Sequence, residues 1–242
     1  MLFGYTHEEI YELFRKYANE IKYLDVKNIL KGIGGLVFKR KIIINGLNSG
    51  ESLERIINNA CGEKGIDNIE QIKMPLLVPA VNLHTGGVYC FSSKKVRTHI
   101  TDKVVYINNA DIGKAVRASC SYPVIFSPCI YKNLELVDGG LRENVPWKQV
   151  RDMGADKVIS VVFDQELTDK KHDTMLDVIS SSIDILKHEL LDCETEGADF
   201  LLEIHTKKIA LLDTKRIEEL YNLGYAVAKK KTKEIKEMTE KI

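Results

Sequence analysis

The chain has 242 residues, with 35 basic and 35 acidic side chains, so its formal net charge at neutral pH is zero. This length suits one α/β domain or two small ones, and we predict a single domain over residues 1–242. A neutral chain has no net field toward nucleic acid, so we expect no nucleic-acid partner. No secretory signal and no apolar run long enough to span a bilayer is present.

The metal-ligating residue types show no spacing typical of a metal site. The cysteines form no CxxC pair, which argues against a zinc ribbon and against a disulfide framework. We predict that most of them are small core residues of a reduced, cytoplasmic protein that touches a membrane at most peripherally. The histidines form no HExxH motif, so neither a metal nor another cofactor is expected. The cysteines are Cys61, Cys90, Cys120, Cys129 and Cys193.

The first half of the chain predicts helices followed by a β-hairpin. Thr6 and Glu9 have the spacing of a capping box, which opens a helix. An apolar run containing two prolines is followed by a glycine turn and a second apolar run, a pattern typical of a hairpin. The predicted helices are Glu9–Ala18 and Ser49–Ala60, and the predicted hairpin joins Met74–Val81 to Val88–Phe91 through the turn His84–Gly87.

The second half predicts a regular alternation of helices and strands. Pro123 stops a short helix because the residue before a proline disfavours helical geometry. The β-branched run before Asp164 is typical of a buried parallel strand. The last helix carries both lysines and acidic residues, so we interpret it as a solvated helix and not as a membrane anchor. The predicted helices are Asp111–Cys120, Trp147–Met153, Thr174–Cys193 and Asp213–Ile242, the last interrupted near Gly224; the predicted strands are Lys157–Phe163 and Asp199–Ile204.

A carboxylate on a glycine turn is the most informative feature of the sequence. Asp138 follows the apolar strand Leu134–Val137 and precedes Gly139 and Gly140. Two glycines permit a sharp turn and a close approach of a second group, which suits a general base. The alternative is that Asp138 only forms the turn and has no catalytic role. For Asn144 and Pro146, shaping the turn into the next helix is favoured over direct catalysis.

A nucleophile for this base is not found within the 242 residues. A nucleophile elbow needs GxSxG, and the nearest similar segment, Gly46–Gly50, has its glycines at other spacings. We expect Asn48 or Ser49 to cap the following helix instead. The glycine cluster Lys31–Gly35 matches neither a P-loop nor a dinucleotide-binding motif, and we interpret it as a connecting loop. For Arg142, a phosphate or carboxylate contact and a solvent-facing or salt-bridged role both remain open.

Several blocks of the sequence resemble the patatin-like phospholipase family, and the resemblance covers nearly the whole chain. Asp138–Leu141 with Asn144–Pro146, followed by Gly154–Val161, resembles the family's catalytic-aspartate block. Arg117–Pro123 resembles the segment before that block. Similarity to earlier and later family segments is found in Gly46–Leu53, Ala80–Gly86, Phe91–Ser93, Ala198–Asp199 and Gly224–Ala226.

The resemblance implies a patatin-type α/β fold, with a mostly parallel sheet flanked by helices, and hydrolysis of acyl lipids by a Ser–Asp dyad. Asp138 takes the aspartate role, a GxSxG elbow would supply the serine, and a glycine-rich loop would supply the oxyanion donors. In the family both missing parts precede the region where this chain starts. We therefore expect the isolated chain to have little or no esterase activity, since loss of the nucleophile costs on the order of 10⁶ in kcat.

The same comparison implies a structural deficit. Without the family's first strand and elbow strand, strand edges and an apolar helix face are expected to be uncovered, which favours self-association or a complementing upstream segment. Three explanations are open: a truncated product or mis-assigned start, which is favoured; a split gene; or a pseudoenzyme. A noncatalytic lipid-binding or protein-interaction remnant is the alternative function.

Overall fold

The computed structural model of the protein describes residues 4–18, 46–96, 104–164, 173–206 and 214–240. The described residues fall into two compact units. The first contains residues 4–10, 46–96 and 104–143, and the second contains residues 11–18, 144–164, 173–206 and 214–240. The prediction of one domain over the whole chain stays a prediction. The predicted cluster Lys31–Gly35 lies outside the described residues.

Two helices and three strands open the described part of the chain, and from Leu134 onward strands and helices alternate, as the sequence predicts for the second half. The helices are α1 (His7–Ala18), α2 (Glu51–Gly62), α3 (Ile112–Ser119), α4 (Trp147–Asp152), α5 (Met175–Thr195) and α6 (Ile217–Thr239). The strands are β1 (Leu77–Asn82), β2 (Val88–Ser92), β3 (Val104–Ile107), β4 (Cys129–Tyr131), β5 (Leu134–Asp138), β6 (Ile159–Asp164) and β7 (Phe200–His205).

The first unit is built on a five-stranded sheet with the order β3-β2-β1-β5-β4. Strands β1 and β2 form the predicted antiparallel hairpin, and β5 pairs antiparallel with both β1 and β4. Strands β2 and β3 pair in parallel. Helix α3 packs against β1 and β5, and α2 packs against α3. The α/β fold class, with a sheet flanked by helices, is confirmed, and its strand directions are mixed.

The core of the first unit lies between this sheet and its helices. Apolar side chains from the sheet and from α3 meet there, and Phe91 contacts the Tyr131 ring edge-to-face with 5.2 Å between ring centroids. Such an edge-to-face pair adds to the apolar burial that stabilises the sheet. The fully buried members of the core include Ile69, Ala80, Phe91, Ala115, Ala118, Cys129 and Leu136. Strand β5, which ends at Asp138, is thus anchored on a rigid base.

The second unit contains the parallel pair β6 and β7, with α6 packed against β7. Val158, Ser160 and Val162 are buried, whereas the alternate residues Ile159, Val161 and Phe163 are 40%, 51% and 61% exposed. The prediction of a parallel strand is confirmed, but its complete burial is wrong, because only one of its faces is covered. Among the described residues, β6 pairs with β7 alone.

The helix starts follow local capping chemistry. Thr6 Oγ1 accepts a hydrogen bond from the Glu9 N–H, and the Glu9 carboxylate accepts one from the Thr6 N–H, which confirms the predicted capping box. Thr174 and Asp177 form the same arrangement at the start of α5. These side chains satisfy amide groups that the first turn of a helix leaves without partners.

Two local predictions are wrong. Helix α6 continues through Gly224 without a break, since one glycine costs a helix only about 1 kcal/mol and the packing of α6 on β7 holds it. The residue at the N-cap of α2 is Gly50, with a φ of 75°, in place of Asn48 or Ser49. Their side chains instead accept hydrogen bonds from the N–H groups of Gly50 and Glu51 within the preceding turn.

Candidate active site

Asp138 lies at the carboxyl end of β5, as the sequence predicts. It is in register with Ala80 of β1, and it is half-buried. Its carboxylate Oδ1 accepts a 2.6 Å hydrogen bond from the Gly140 N–H, and its own N–H donates to the Ser121 carbonyl at 3.1 Å. A short 3₁₀ turn, Gly139–Leu141, follows directly. At the end of β5, the Ser121 carbonyl therefore holds the Asp138 main chain, and the Gly140 N–H holds its carboxylate.

Gly139 is required by close packing and not by an unusual backbone angle. A Cβ placed on it would lie 2.4 Å from the Pro79 carbonyl oxygen and 2.8 Å from its carbonyl carbon. Pro79 lies one residue beyond the last β1–β5 pair, Ala80 with Asp138. The chain can turn away from β1 at this point only because residue 139 has no side chain.

Arg142 is committed to the neighbouring hairpin turn. Its Nη1 donates a 2.5 Å hydrogen bond to the carbonyl of Gly86, which has a φ of 65°. Arg142 itself is exposed. The contact ties the Asp138 turn to the β1–β2 turn, a structural role that the sequence left open beside a head-group contact.

Asn144 and Pro146 belong to the second unit. Asn144 is exposed, and Pro146 occupies the N-cap of α4, where its carbonyl accepts a hydrogen bond from the Val150 N–H at 3.1 Å. This arrangement agrees with the interpretation that Pro146 shapes the turn entering the helix. The neighbouring Val145 N–H donates to the Glu194 carboxylate at 2.9 Å.

The segment Gly46–Gly50, which resembles a nucleophile elbow only loosely, has a structural role. It runs beside residues 124–127, with the Asn48 N–H donating to the Ile125 carbonyl and the Ser127 N–H donating to the Asn48 carbonyl. The Ser49 carbonyl accepts hydrogen bonds from Nε and Nη2 of Arg117 at 3.0 and 2.5 Å. Such contacts fix the loop by its main chain, which is a structural role and not that of a nucleophile elbow.

Arg117 is a buried residue of this region whose role the sequence did not predict. Its guanidinium also contacts the Glu54 carboxylate at 3.5 Å and the Cys129 sulfur at 3.6 Å. Lys114 pairs with the same carboxylate at 3.0 Å. A cavity of about 410 Å³ lies over this cluster, lined by Glu51, Glu54, Arg55, Asn58, Lys114 and Arg117. None of the lining residues belongs to the Asp138 turn, so the cavity and the candidate base are separate features.

The charge of Asp138 affects the pKa of the Cys120 thiol. Desolvation and, second, the negative charge of Asp138 raise the pKa of Cys120 to about 11. Because the thiolate is the reactive form, such a thiol is a poor nucleophile near neutral pH. Burial likewise raises the pKa of Cys61 to about 11 and that of Cys90 to about 12. The prediction of core cysteines is confirmed for Cys61, Cys90 and Cys129. Cys120 is exposed as a residue, and the desolvation that raises its pKa concerns its sulfur atom.

Within the described ranges, no group of three or more His, Cys, Asp or Glu residues is arranged to hold a metal ion. No helix in the described part of the chain has the length and apolar character needed to cross a bilayer.

More than half of the chain matches a known protein family. The family model described as patatin-like phospholipase matches residues 2–151, which is more than half of the chain and includes α1 to α3, β1 to β5 and all of α4 except its last residue. The chain belongs to the patatin-like phospholipase family. Lipid acyl hydrolysis is accordingly the activity of its family. The match ends before β6, so the resemblance of Ala198–Asp199 and Gly224–Ala226 to the family's closing elements stays a prediction.

Proposed function

We propose that Asp138 is the general base of a Ser–Asp dyad in a lipid acyl hydrolase. The observation that supports this most is the placement of its carboxylate, half-buried at the end of β5 and bonded to the Gly140 N–H, within the region that the family model matches. A base on a rigid strand end holds its geometry better than one on a mobile loop. Gly139 and Gly140 provide the turn that leaves this strand end accessible.

The proposed reaction proceeds through an acyl-serine intermediate. Asp138 accepts the proton of a serine hydroxyl as the serine oxygen attacks the ester carbonyl carbon. The proton then passes to the departing alcohol oxygen as the ester bond breaks. In a second step a water molecule attacks the carbonyl carbon of the acyl-serine and gives up a proton to Asp138. The bond between the acyl carbon and the serine oxygen then breaks, the carboxylic acid leaves, and Asp138 returns the proton to the serine oxygen. This chemistry needs no metal and no organic cofactor.

The 242 residues contain no GxSxG motif, so we propose that by themselves they turn over esters poorly or not at all. Loss of the nucleophile in a serine hydrolase costs on the order of 10⁶ in kcat, and loss of one oxyanion donor costs about 10² to 10³. The serine and the oxyanion donors would come from a complementing segment. Of the described cysteines, none offers a replacement nucleophile with a lowered pKa.

The test is an ester assay on the purified chain. We expect the hydrolysis of a short-chain nitrophenyl ester to stay at the buffer rate, and the Asp138→Asn variant to give the same rate. Asp67→Asn, an exposed aspartate in the same unit, is the matched control. Robust turnover that Asp138→Asn abolishes and Asp67→Asn retains would show that these residues alone form a complete enzyme and would overturn the proposed inactivity.

A noncatalytic lipid-binding or protein-interaction role is the second candidate, and one observation favours it. Helix α5 exposes large apolar side chains, including Met175 at 77% and Leu186 at 69%, in addition to the exposed face of β6. Apolar surface of this extent is typical of an interaction site. Sedimentation with phosphatidylcholine vesicles, measured beside the ester assay, distinguishes the two functions. Binding without turnover, even after a nucleophile segment is added, favours the second candidate.

The proposal includes a cytoplasmic location and a lipid or acyl ester substrate, without a nucleic-acid partner. Free thiols at Cys61, Cys90, Cys120 and Cys129 support a reducing compartment. The family supports the lipid substrate. Self-association through the exposed apolar faces is the other proposed partner interaction, and analytical ultracentrifugation across a tenfold concentration range measures it directly.

A further inference from the structure

Ser121, directly after the C-terminal end of α3, is held more firmly than its position in a turn requires. The residue is 1% exposed, and its Oγ–H donates a 2.8 Å hydrogen bond to the Arg117 carbonyl. The Ser121 N–H donates to the Ala118 carbonyl at 3.3 Å and not to the Arg117 carbonyl. Because the last turn of a helix leaves carbonyls without helical donors, the Ser121 hydroxyl satisfies one of them. Two bonds thus fix Ser121 against α3.

The carbonyl of Ser121 faces the candidate base. It accepts the 3.1 Å hydrogen bond from the Asp138 N–H, while the Asp138 carboxylate accepts the 2.6 Å bond from Gly140. The backbone of Asp138 is therefore fixed by Ser121, and its side chain is fixed by the following turn. A displacement of the Ser121 peptide would weaken the hydrogen bond that holds the Asp138 main chain.

The other end of this chain of contacts is anchored as well. Arg117, whose carbonyl receives the Ser121 hydroxyl, donates from its guanidinium to the Ser49 carbonyl and contacts the Glu54 carboxylate. A buried guanidinium with several acceptors holds its own backbone closely, because leaving any of these donors unpaired is costly. The last turn of α3 therefore has little freedom to move.

We propose that Ser121 is a positioning residue for Asp138. Its hydroxyl ties the Ser121 peptide to the rigid end of α3, and this peptide in turn holds the main chain of the candidate catalytic turn. This inference rests on the proposed role of Asp138 as the base. It differs from a plain capping role in one respect. A cap stabilises α3 alone, whereas a positioning residue also restrains the main-chain amides of Asp138 and Gly140, on which the geometry of the Asp138 carboxylate depends.

The test compares Ser121→Ala with Ser92→Ala by amide hydrogen exchange of the full chain, followed residue by residue with NMR. Ser92 is the matched control because it is fully buried and its Oγ–H donates a 2.8 Å hydrogen bond to the Lys94 carbonyl in the same unit. Ser121→Ala removes the bond to the Arg117 carbonyl, whereas Ser92→Ala removes two bonds, because the Ser92 hydroxyl also accepts one from the Lys94 N–H at 3.2 Å. The loss of global stability in the control is therefore expected to be at least as large as in Ser121→Ala. Exchange at Leu136, in the same strand as Asp138, reports that global change.

In Ser121→Ala we expect the amides of Asp138 and Gly140 to exchange at least about tenfold faster relative to Leu136, which corresponds to ~1.4 kcal/mol of lost local protection. In Ser92→Ala we expect this ratio to stay at its wild-type value. An unchanged ratio in Ser121→Ala would overturn the inference and leave Ser121 as a helix cap only.

A second variant keeps the test decisive if Ser121→Ala does not fold. Ser121→Cys retains the shape of the side chain with a larger atom and a weaker donor, and we expect it to raise the same exchange ratio by a smaller factor. A wild-type ratio in folded Ser121→Cys contradicts the proposal, whether or not Ser121→Ala folds. The readout does not use ester hydrolysis, so a failure of the proposed catalytic function appears in the ester assay and leaves this result independent.

Discussion

Substituting Gly139 by alanine tests the packing that allows the Asp138 turn. The new Cβ would lie 2.4 Å from the Pro79 carbonyl oxygen, whereas ordinary contact begins at 3.4 Å, so the two strand ends must separate by about 1 Å. The neighbouring atoms belong to the backbone of β1, which is paired on both sides and has no rotamer to relieve the contact. The clash is therefore expected to fall on the sheet itself.

Overpacking of this kind costs about 1–3 kcal/mol, and the rigid neighbours favour the upper half of that range. Alanine also restricts the unfolded chain, which offsets about 0.5 kcal/mol of the loss. A net loss of ~2 kcal/mol corresponds to a decrease in Tm of roughly 4–8 °C for a chain of this size. Circular dichroism melting at 222 nm, together with urea unfolding, measures both quantities.

Gly62→Ala is the matched control for this substitution. Gly62 is the last residue of α2, and a Cβ there would meet only the Asp67 carboxylate oxygen at 4.0 Å. Alanine is favoured over glycine in helices, so this variant should be as stable as the wild type or slightly more stable. If Gly139→Ala melted within about 1 °C of Gly62→Ala, the claim that the turn requires a missing side chain would be refuted.

Three further predictions concern side chains around the candidate site and in the second unit. Arg117→Met should lower the free energy of unfolding by about 2–3 kcal/mol, because it removes charged hydrogen bonds from a buried position. The control Arg55→Met, at an exposed position, should change it by less than about 0.5 kcal/mol. Both are measured by urea unfolding, and equal effects would contradict the role of Arg117. A hydrogen bond from the Val158 N–H and, after it, the neighbouring Arg151 lower the pKa of the Asp199 carboxyl group. The ionised carboxylate therefore stabilises the fold fully above the unfolded pKa of about 3.9, and this stabilisation is lost as the pH falls through the lower folded pKa. The urea midpoint of the wild type should accordingly fall more steeply than that of Asp199→Asn between pH 5 and the acid limit of folding, and parallel curves would argue against the contact. Asp138→Asn removes the negative charge that, after desolvation, raises the pKa of Cys120. Iodoacetamide should therefore alkylate Cys120 faster at pH 8 in this variant, as measured by peptide mass spectrometry. An unchanged rate would show that Asp138 does not affect this thiol.

Local signals in the sequence predicted most of the regular structure. The capping box at Thr6 and Glu9, the pre-proline helix stop and the glycine turn between β1 and β2 each depend on residues close together in sequence, and each predicted the correct element. Strands β3 and β4 were not predicted. They are only four and three residues long, and their pairing partners β2 and β5 are decided by tertiary packing.

The candidate site was predicted only in part, for the same reason. The position of Asp138 at a strand end follows from the apolar run before it and the glycines after it. The contacts of that residue with Ser121, and of Arg117 with Ser49, join segments that are distant in sequence, and no periodicity reveals them. The requirement for glycine at position 139 depends on Pro79, which a sequence pattern cannot place.

Complementation of the nucleophile tests the central claim most directly. The chain would be fused to a segment that carries a glycine-rich loop and a strand–GxSxG–helix elbow, and kcat would be measured with a nitrophenyl ester. We expect turnover to appear in the fusion, to fall by at least about 10³ in Asp138→Asn, and to persist in Asp67→Asn. Turnover in the fusion that is equal for Asp138→Asn and Asp67→Asn would contradict the assignment of Asp138 as the base.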